Sequence, residues 1–192
     1  ELYLPSPELE EYFAYKPQTS YLDYNHYVSL VGLQQESVLR SFFEKLDIRS
    51  EPRLLKFFPE NRDEYQSQEF IIEGLKEWIK KVTKEKRLDL SVSLWKHVCR
   101  FVKNDMLNNL VLNKTVKSRK DRRYNFTESL ENSSTFNLLS ENSWLVTNDG
   151  SFVNSHKLYR QTLAPEYDLD DIWSLKLMTI LKINNQPQED EY

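Results

Sequence analysis

Only three glycines, Gly32, Gly74 and Gly150, occur in 192 residues, and each stands alone. A loop that cradles phosphate needs clustered glycines, because its backbone N–H groups must approach the oxygens without a Cβ in the way. The chain therefore has no P-loop and no dinucleotide fingerprint, and it is not expected to hold or hydrolyse ATP. Gly150 instead follows Asn148 and Asp149, which tolerate positive φ, and lies between the apolar stretches 144–147 and 152–153. Trp144 and Val146 alternate there with Leu145 and Thr147, the pattern of a β-hairpin with Gly150 in its turn.

A chain this long can bury a core as one domain or as two intimate lobes, with a boundary expected in the polar stretch 60–68. Its aromatic content, 13%, predicts an aromatic-rich core. The net charge of −4 argues against a surface that coats nucleic acid or an anionic membrane throughout. No apolar run approaches the roughly 18 residues of a membrane span, and the start lacks the pattern of a secretory signal. Cys99 is the only cysteine, which excludes an intrachain disulfide and a thiolate-rich zinc site and fits a reducing, cytoplasmic setting. Glu1 in place of an initiator Met and the polar tail 188–192 read as cut ends of a longer multidomain protein.

Periodicity predicts an α+β chain, mainly helical, with one or two small β-hairpins. Ser6-Pro7-Glu8 reads as a helix start, running to about Tyr15 before Pro17. A brief strand at 21–24 and a helical stretch at 25–31 ending near Gly32 follow. The segment 36–48 places Val38, Leu39, Phe42, Phe43 and Leu46 on one stripe, predicting a core-facing helix. Residues 53–58, between Pro52 and Pro59, read as extended, and 60–68 as loop. Phe70, Ile71, Leu75, Trp78, Ile79 and Val82 predict a helix; Ser91 or Ser93 caps the next, so that Trp78 and Trp95 pair in a helical hairpin. Strands at 107–116 and 124–126, a short helix capped by Ser133 or Ser134, and a final helix begun by Asp170 or Asp171 complete the reading.

Candidate chemistry is sparse. His26, His97 and His156 are far apart, and His97 and Cys99 diverge on a helix, so no metal site is predicted. Cys99 reads as a small buried hydrophobe. Asp168, Asp170 and Asp171 could coordinate Mg²⁺ for nuclease chemistry, but as residues preceding an apolar helix they are better read as caps. The strongest candidate is the run 114–123, where Lys114, Lys117, Arg119, Lys120, Arg122 and Arg123 surround one Asp121 and precede Tyr124. Such a local field attracts phosphate, and an adjacent aromatic can stack on unpaired bases. The competing reading is a solvated hairpin tip that meets an acidic partner.

Three blocks carry a family resemblance. Residues 1–13, ELYLPSPELEEYF, resemble the L-Y-L-P-s-x-E-L-x-x-Y-F segment of large sacsin-like and No Vein-like proteins, which hold a GHKL-type ATP-binding domain elsewhere in their chains. Residues 70–95 resemble their G-L-x-x-f … S-x-x-L-W-x stretch, and 143–158 their W-L-x-x-x-D-G-x-F-V-x-P-S-E-I block. Ser155, His156 and Lys157 depart from Pro, Ser and Glu in that last pattern. The resemblance implies a region downstream of the ATPase domain, with ATP and Mg²⁺ held in the parent protein's missing domain and no catalytic residue transferred here. The expected role is a non-catalytic scaffold, coupling or interaction module whose partners are other domains of the same protein or a protein client. Nucleic-acid binding through 114–123 is the alternative, with metal-dependent nuclease activity a weaker one.

Overall fold

The computed structural model describes residues 2–14, 16, 19–57, 65–107, 113–117, 123–127 and 133–183. The fold is α+β and mainly helical. It divides into two compact units, Glu1–Arg53 and Leu54–Tyr192.

In the first unit, strand β1 (Leu2–Tyr3) pairs in parallel with β2 (Ser20–Tyr21), and helix α1 (Pro7–Tyr12) lies between them in sequence. The Leu9 N–H donates to Ser6 Oγ at 3.2 Å, so the predicted cap operates, with Pro7 opening the helix. The helix stops at Tyr12; Tyr15 and Pro17 lie outside the described residues. Helix α2 (Tyr24–Val31) is capped by Asp23 and ends at Gly32, whose φ of 85° only glycine adopts without strain. A 3-10 turn (Leu33–Gln35) leads to α3 (Glu36–Lys45). Leu4, Tyr24 and Phe43 form the core between these helices, with Leu22, Val28, Leu39 and Ile48 packed against it.

α3 differs from the core-facing helix predicted. Only Phe43 of its stripe is buried, while Val38, Phe42 and Leu46 are exposed. Five apolar side chains spread over an arc wider than one packing partner covers. Phe43 and Leu39 meet the core, and the rest of the arc faces outward.

The second unit begins with β3 (Leu54–Phe57) and β4 (Tyr65–Ile72), followed by α4 (Leu75–Glu85) and α5 (Leu88–Lys103). Strands β5 (Asn113–Lys117) and β6 (Arg123–Thr127) complete an antiparallel sheet in the order β3-β4-β5-β6. Phe70 and Ile71, expected on a helix, are strand residues paired with Lys56 and Leu55. Residues 65–68, expected in a loop, pair with 113–116, and 60–64 lie outside the described residues. The strand ends before Gly74, whose φ of 84° breaks the apparent helical period between Ile71 and Leu75. Of the strand expected at 107–116, residues 108–112 lie outside the described residues, and Leu107 is a buried turn residue.

Helix α6 (Ser134–Glu141) is capped by Ser133, which accepts the Phe136 N–H at 3.0 Å. The predicted hairpin forms as β7 (Leu145–Val146) and β8 (Phe152–Val153), with Leu145 opposite Val153 and Gly150 at a φ of 81° in its turn. Asp171 then caps α7 (Ile172–Ile180), accepting the N–H groups of Trp173 at 2.9 Å and Ser174 at 3.1 Å.

Ser91, expected to cap α5, is instead an interior helix residue; the helix starts at Leu88. Its hydroxyl is taken by tertiary bonds, donating to the Trp144 carbonyl and meeting the Tyr167 hydroxyl. A carbonyl only accepts, so the Ser91 proton is committed to it and Tyr167 must donate to Ser91 Oγ. Tyr167 in turn accepts the Val146 N–H at 2.9 Å. Trp95 packs on Trp144 and Tyr167, with ring centroids 6.2 Å and 5.1 Å away. The expected pairing of Trp78 with Trp95 does not form. Trp78 packs on the His97 ring at 5.7 Å, because Trp95 and His97, two apart on the helix, meet different neighbours.

Burial pushes the Tyr167 phenol up to about 12, against the opposing pull of the Val146 N–H that donates to its oxygen. The folded state thus holds this proton more tightly than the unfolded chain. The associated stability is complete below pH 10 and is lost as pH climbs from about 10 to 12. Tyr167→Phe strands the buried Val146 N–H and is expected to destabilise the protein by about 1–3 kcal/mol in urea denaturation at neutral pH. The same variant should show a shallower loss of stability above pH 10. A variant as stable as the parent would dissociate this bond from the fold.

Candidate functional site

The described parts of the basic segment are strand residues. Lys114 and Lys117 lie in β5 and Arg123 and Tyr124 in β6, while Arg119, Lys120 and Arg122 fall in 118–122, outside the described residues. The register makes Lys117 the partner of Arg123, Val116 of Tyr124 and Lys114 of Phe126. Two of the predicted cationic positions are therefore cross-strand neighbours.

A cleft of about 290 Å³ opens where α5 meets α7 and the 3-10 turn Pro165–Tyr167. Trp95, Cys99, Tyr167 and Ser174 line it beneath Lys96, Arg100 and Lys103 on one side and Glu166, Asp168 and Asp171 on the other. The polar groups of Trp95, Cys99, Ser174 and Asp171 are engaged in structure. The Trp95 Nε1–H donates to Ser174 Oγ at 3.0 Å, and Cys99 Sγ lies 3.6 Å from the same oxygen. Asp171 caps α7, while the neighbouring Asp170 pairs with Arg160 at 2.8 Å. Two of the three carboxylates considered as a Mg²⁺ cluster, Asp170 and Asp171, thus have separate structural partners. Among the described residues no group of three or more His, Cys, Asp or Glu side chains could hold a metal ion. His97 is buried against Trp78, and His156 is exposed in the 3-10 turn Ser155–Lys157.

The largest unassigned feature is apolar. Nine large hydrophobic side chains are exposed among the described residues, and seven of them, Tyr27, Leu30, Val31, Leu33, Val38, Phe42 and Leu46, lie within 24–46. On α2, Tyr27, Leu30 and Val31 recur at i, i+3 and i+4, so they share one face; on α3, Val38, Phe42 and Leu46 recur every fourth residue. The rings join the two rows, since Tyr27 and Phe42 both pack edge-on against Phe43, at 5.2 Å and 5.5 Å. The opposite side of α3 is anchored. The Arg40 guanidinium lies 5.4 Å over the Tyr24 ring, and the Tyr24 hydroxyl donates to the Glu36 carbonyl at 3.1 Å.

Sequence periodicity located the α3 part of this face, Val38, Phe42 and Leu46, but assigned it to the core, and it did not single out the residues of α2 or the turn. The available signal was supply: α2, the turn and α3 together carry more apolar side chains than a unit of about 50 residues can enclose.

Compared with known proteins, the chain matches no family model, no curated protein and no solved structure. No helix among the described residues is long and apolar enough to cross a membrane.

Burial raises the Cys99 thiol to about 11, the Ser174 hydrogen bond opposes the shift, and the Asp171 and Asp168 carboxylates add to it. At neutral pH the group is a protonated, enclosed thiol, a poor nucleophile. Iodoacetamide is expected to leave Cys99 unlabelled in the folded protein at pH 7 and to label it fully in urea. Rapid stoichiometric labelling of the folded chain would show an accessible thiolate instead.

Proposed function

We propose that this chain is a non-catalytic interaction module, a scaffold or coupling element within a larger protein that carries a GHKL-type ATP-binding domain outside these residues. One observation carries the reading: the apolar face of α2 and α3. Taking about 150 Å² for a side chain of this size, the low end of the aromatic range because five of the seven are Leu or Val, the face exposes on the order of 600 Å². That is the top of the roughly 300–600 Å² range of the largest patch on a monomeric protein, and patches of that size are often functional. Apolar area of that extent is a surface for docking, and it has no part in moving protons or electrons. The resemblance of 1–13, 70–95 and 143–158 to sacsin-like and No Vein-like chains supports the wider setting, and the lone buried cysteine accords with a cytoplasmic one.

Nucleotide-dependent motion of the ATP-binding domain would reach a client through such a surface. In the full-length protein, Leu30→Ser together with Val38→Ser is expected to leave ATP hydrolysis within about twofold of the parent while abolishing the ATP-dependent action on the client. Unimpaired action in that variant would reject the coupling role.

A second reading is favoured by the register of β5 and β6, which makes Lys117 and Arg123 neighbours at the base of a basic connection. Here the segment would hold phosphate, with Tyr124 beside it for base stacking. Replacing Lys117, Arg119, Lys120 and Arg123 with Ser should then remove oligonucleotide retention and flatten its dependence on salt. Retention that survives those replacements with an unaltered salt slope would rule this reading out.

A further inference from the structure

We propose that the apolar face of α2 and α3 is the contact of a symmetric homodimer of this chain. The inference rests on the reading of that face as a docking surface and names its occupant, a second copy.

The spacing of the exposed side chains is self-complementary. Phe42 lies midway along its row, with Val38 four residues before it and Leu46 four residues after. If two copies of α3 cross antiparallel about a two-fold axis at Phe42, each Phe42 meets its own copy and each Val38 meets the partner's Leu46. Residue i then contacts j while j contacts i, which is what an isologous interface requires. Tyr27 of α2 meets this row through Phe43, and Leu30 and Val31 share the Tyr27 face of their helix.

Exposure and area agree. Leu33 is 77% exposed, Leu30 69%, Val38 62%, Leu46 57% and Phe42 53%. The face offers on the order of 600 Å² per copy, the lower end of what one partner contributes to a standard-sized interface. Packing of this row as a helix pair also needs no change in the unit, since Phe43 and Leu39 stay in the core.

Charge favours a copy over a strongly charged partner. The whole chain carries −4, but between residues 24 and 46 the charged side chains are Glu36, Arg40, Glu44 and Lys45, two of each sign. Glu36, Arg40 and Glu44 stand two residues before Val38, Phe42 and Leu46 respectively, on the other side of α3, so the exposed row carries no cluster of one sign that would repel its own copy or select an oppositely charged partner. The first unit, Glu1–Arg53, is also small. Units of this size commonly gain through association the burial that length does not give them.

Sedimentation velocity over a wide range of loading concentrations tests the proposal on the full 192-residue chain. The parent is expected to shift from monomer to dimer with concentration, and Phe42→Glu to weaken the dimer about 100-fold or more, with circular dichroism unchanged. Leu30→Glu, at a more exposed position, serves the same purpose if Phe42→Glu does not fold. Phe42→Cys should give a disulfide-linked dimer on mild oxidation, because the two-fold brings position 42 of both copies together. Dimerisation that neither glutamate variant weakens overturns the assignment of this face. A parent that stays monomeric throughout overturns the homodimer, and a hydrophobic dye then separates the remaining cases. Dye fluorescence that Leu30→Glu removes leaves an open docking face for a different partner, whereas no dye binding defeats the docking reading as well.

Discussion

The second unit closes around one buried phenol. Tyr167 donates to Ser91 on α5 and accepts from the Val146 backbone on β7, while Ser91 gives its own proton to the Trp144 carbonyl. Three stretches distant in sequence share these bonds, and every polar atom in the set has a partner. A buried hydroxyl without partners would oppose folding by a few kcal/mol, so this closed set permits the aromatic packing of Trp95, Trp144 and Tyr167 around it. The Trp144 indole completes the arrangement by donating to the Leu139 carbonyl at 2.7 Å, which fixes the end of α6 to the start of the hairpin. The cleft between α5 and α7 is a by-product of the same geometry. Its floor consists of side chains already hydrogen-bonded for structural reasons.

The first unit solves the opposite problem. It has few residues and many apolar ones, and its helices present apolar side chains on two sides. Phe43 stands at the division, with its ring in the core and its edges against Tyr27 and Phe42. The inner contacts of α3, including the Arg40 stack on Tyr24, hold the helix in place without calling on Val38, Phe42 or Leu46. The outer row therefore sits on a fixed frame, and binding there need not order the helix first. Such preorganisation lowers the entropy lost on association.

Local signals were legible in the sequence and distant ones were not. The Ser6, Ser133 and Asp171 caps and the Gly150 turn depend on a few neighbouring residues, and each lies where its short pattern put it. The four-stranded sheet was hidden because 65–72 gains its partners from 54–57 and 113–116, and before those are known the Phe70-Ile71 pair matches a helical period as well as a strand. Ser91 misled for a related reason, since its hydroxyl is claimed by residues more than fifty positions away. At the candidate site, periodicity identified an apolar row on α3 but carried no information about what covers it. The basic segment was legible as two strands and a connection, and the Lys117–Arg123 register follows only from the pairing itself.

The two surfaces of the chain differ in what their side chains do for the fold. In the α5–α7 cleft, Trp95, Tyr167, Asp171 and Ser174 each satisfy a donor, an acceptor or a helix end, so folding alone accounts for their chemistry. Leu30, Leu33, Val38, Phe42 and Leu46 satisfy nothing comparable within their own unit, and each keeps more than half of its surface in contact with water. Apolar area left in water contributes no stability and favours association once a complementary surface removes it from water. Only a covered state makes use of that area. The physical case for an interface therefore rests on side chains that the isolated fold does not need.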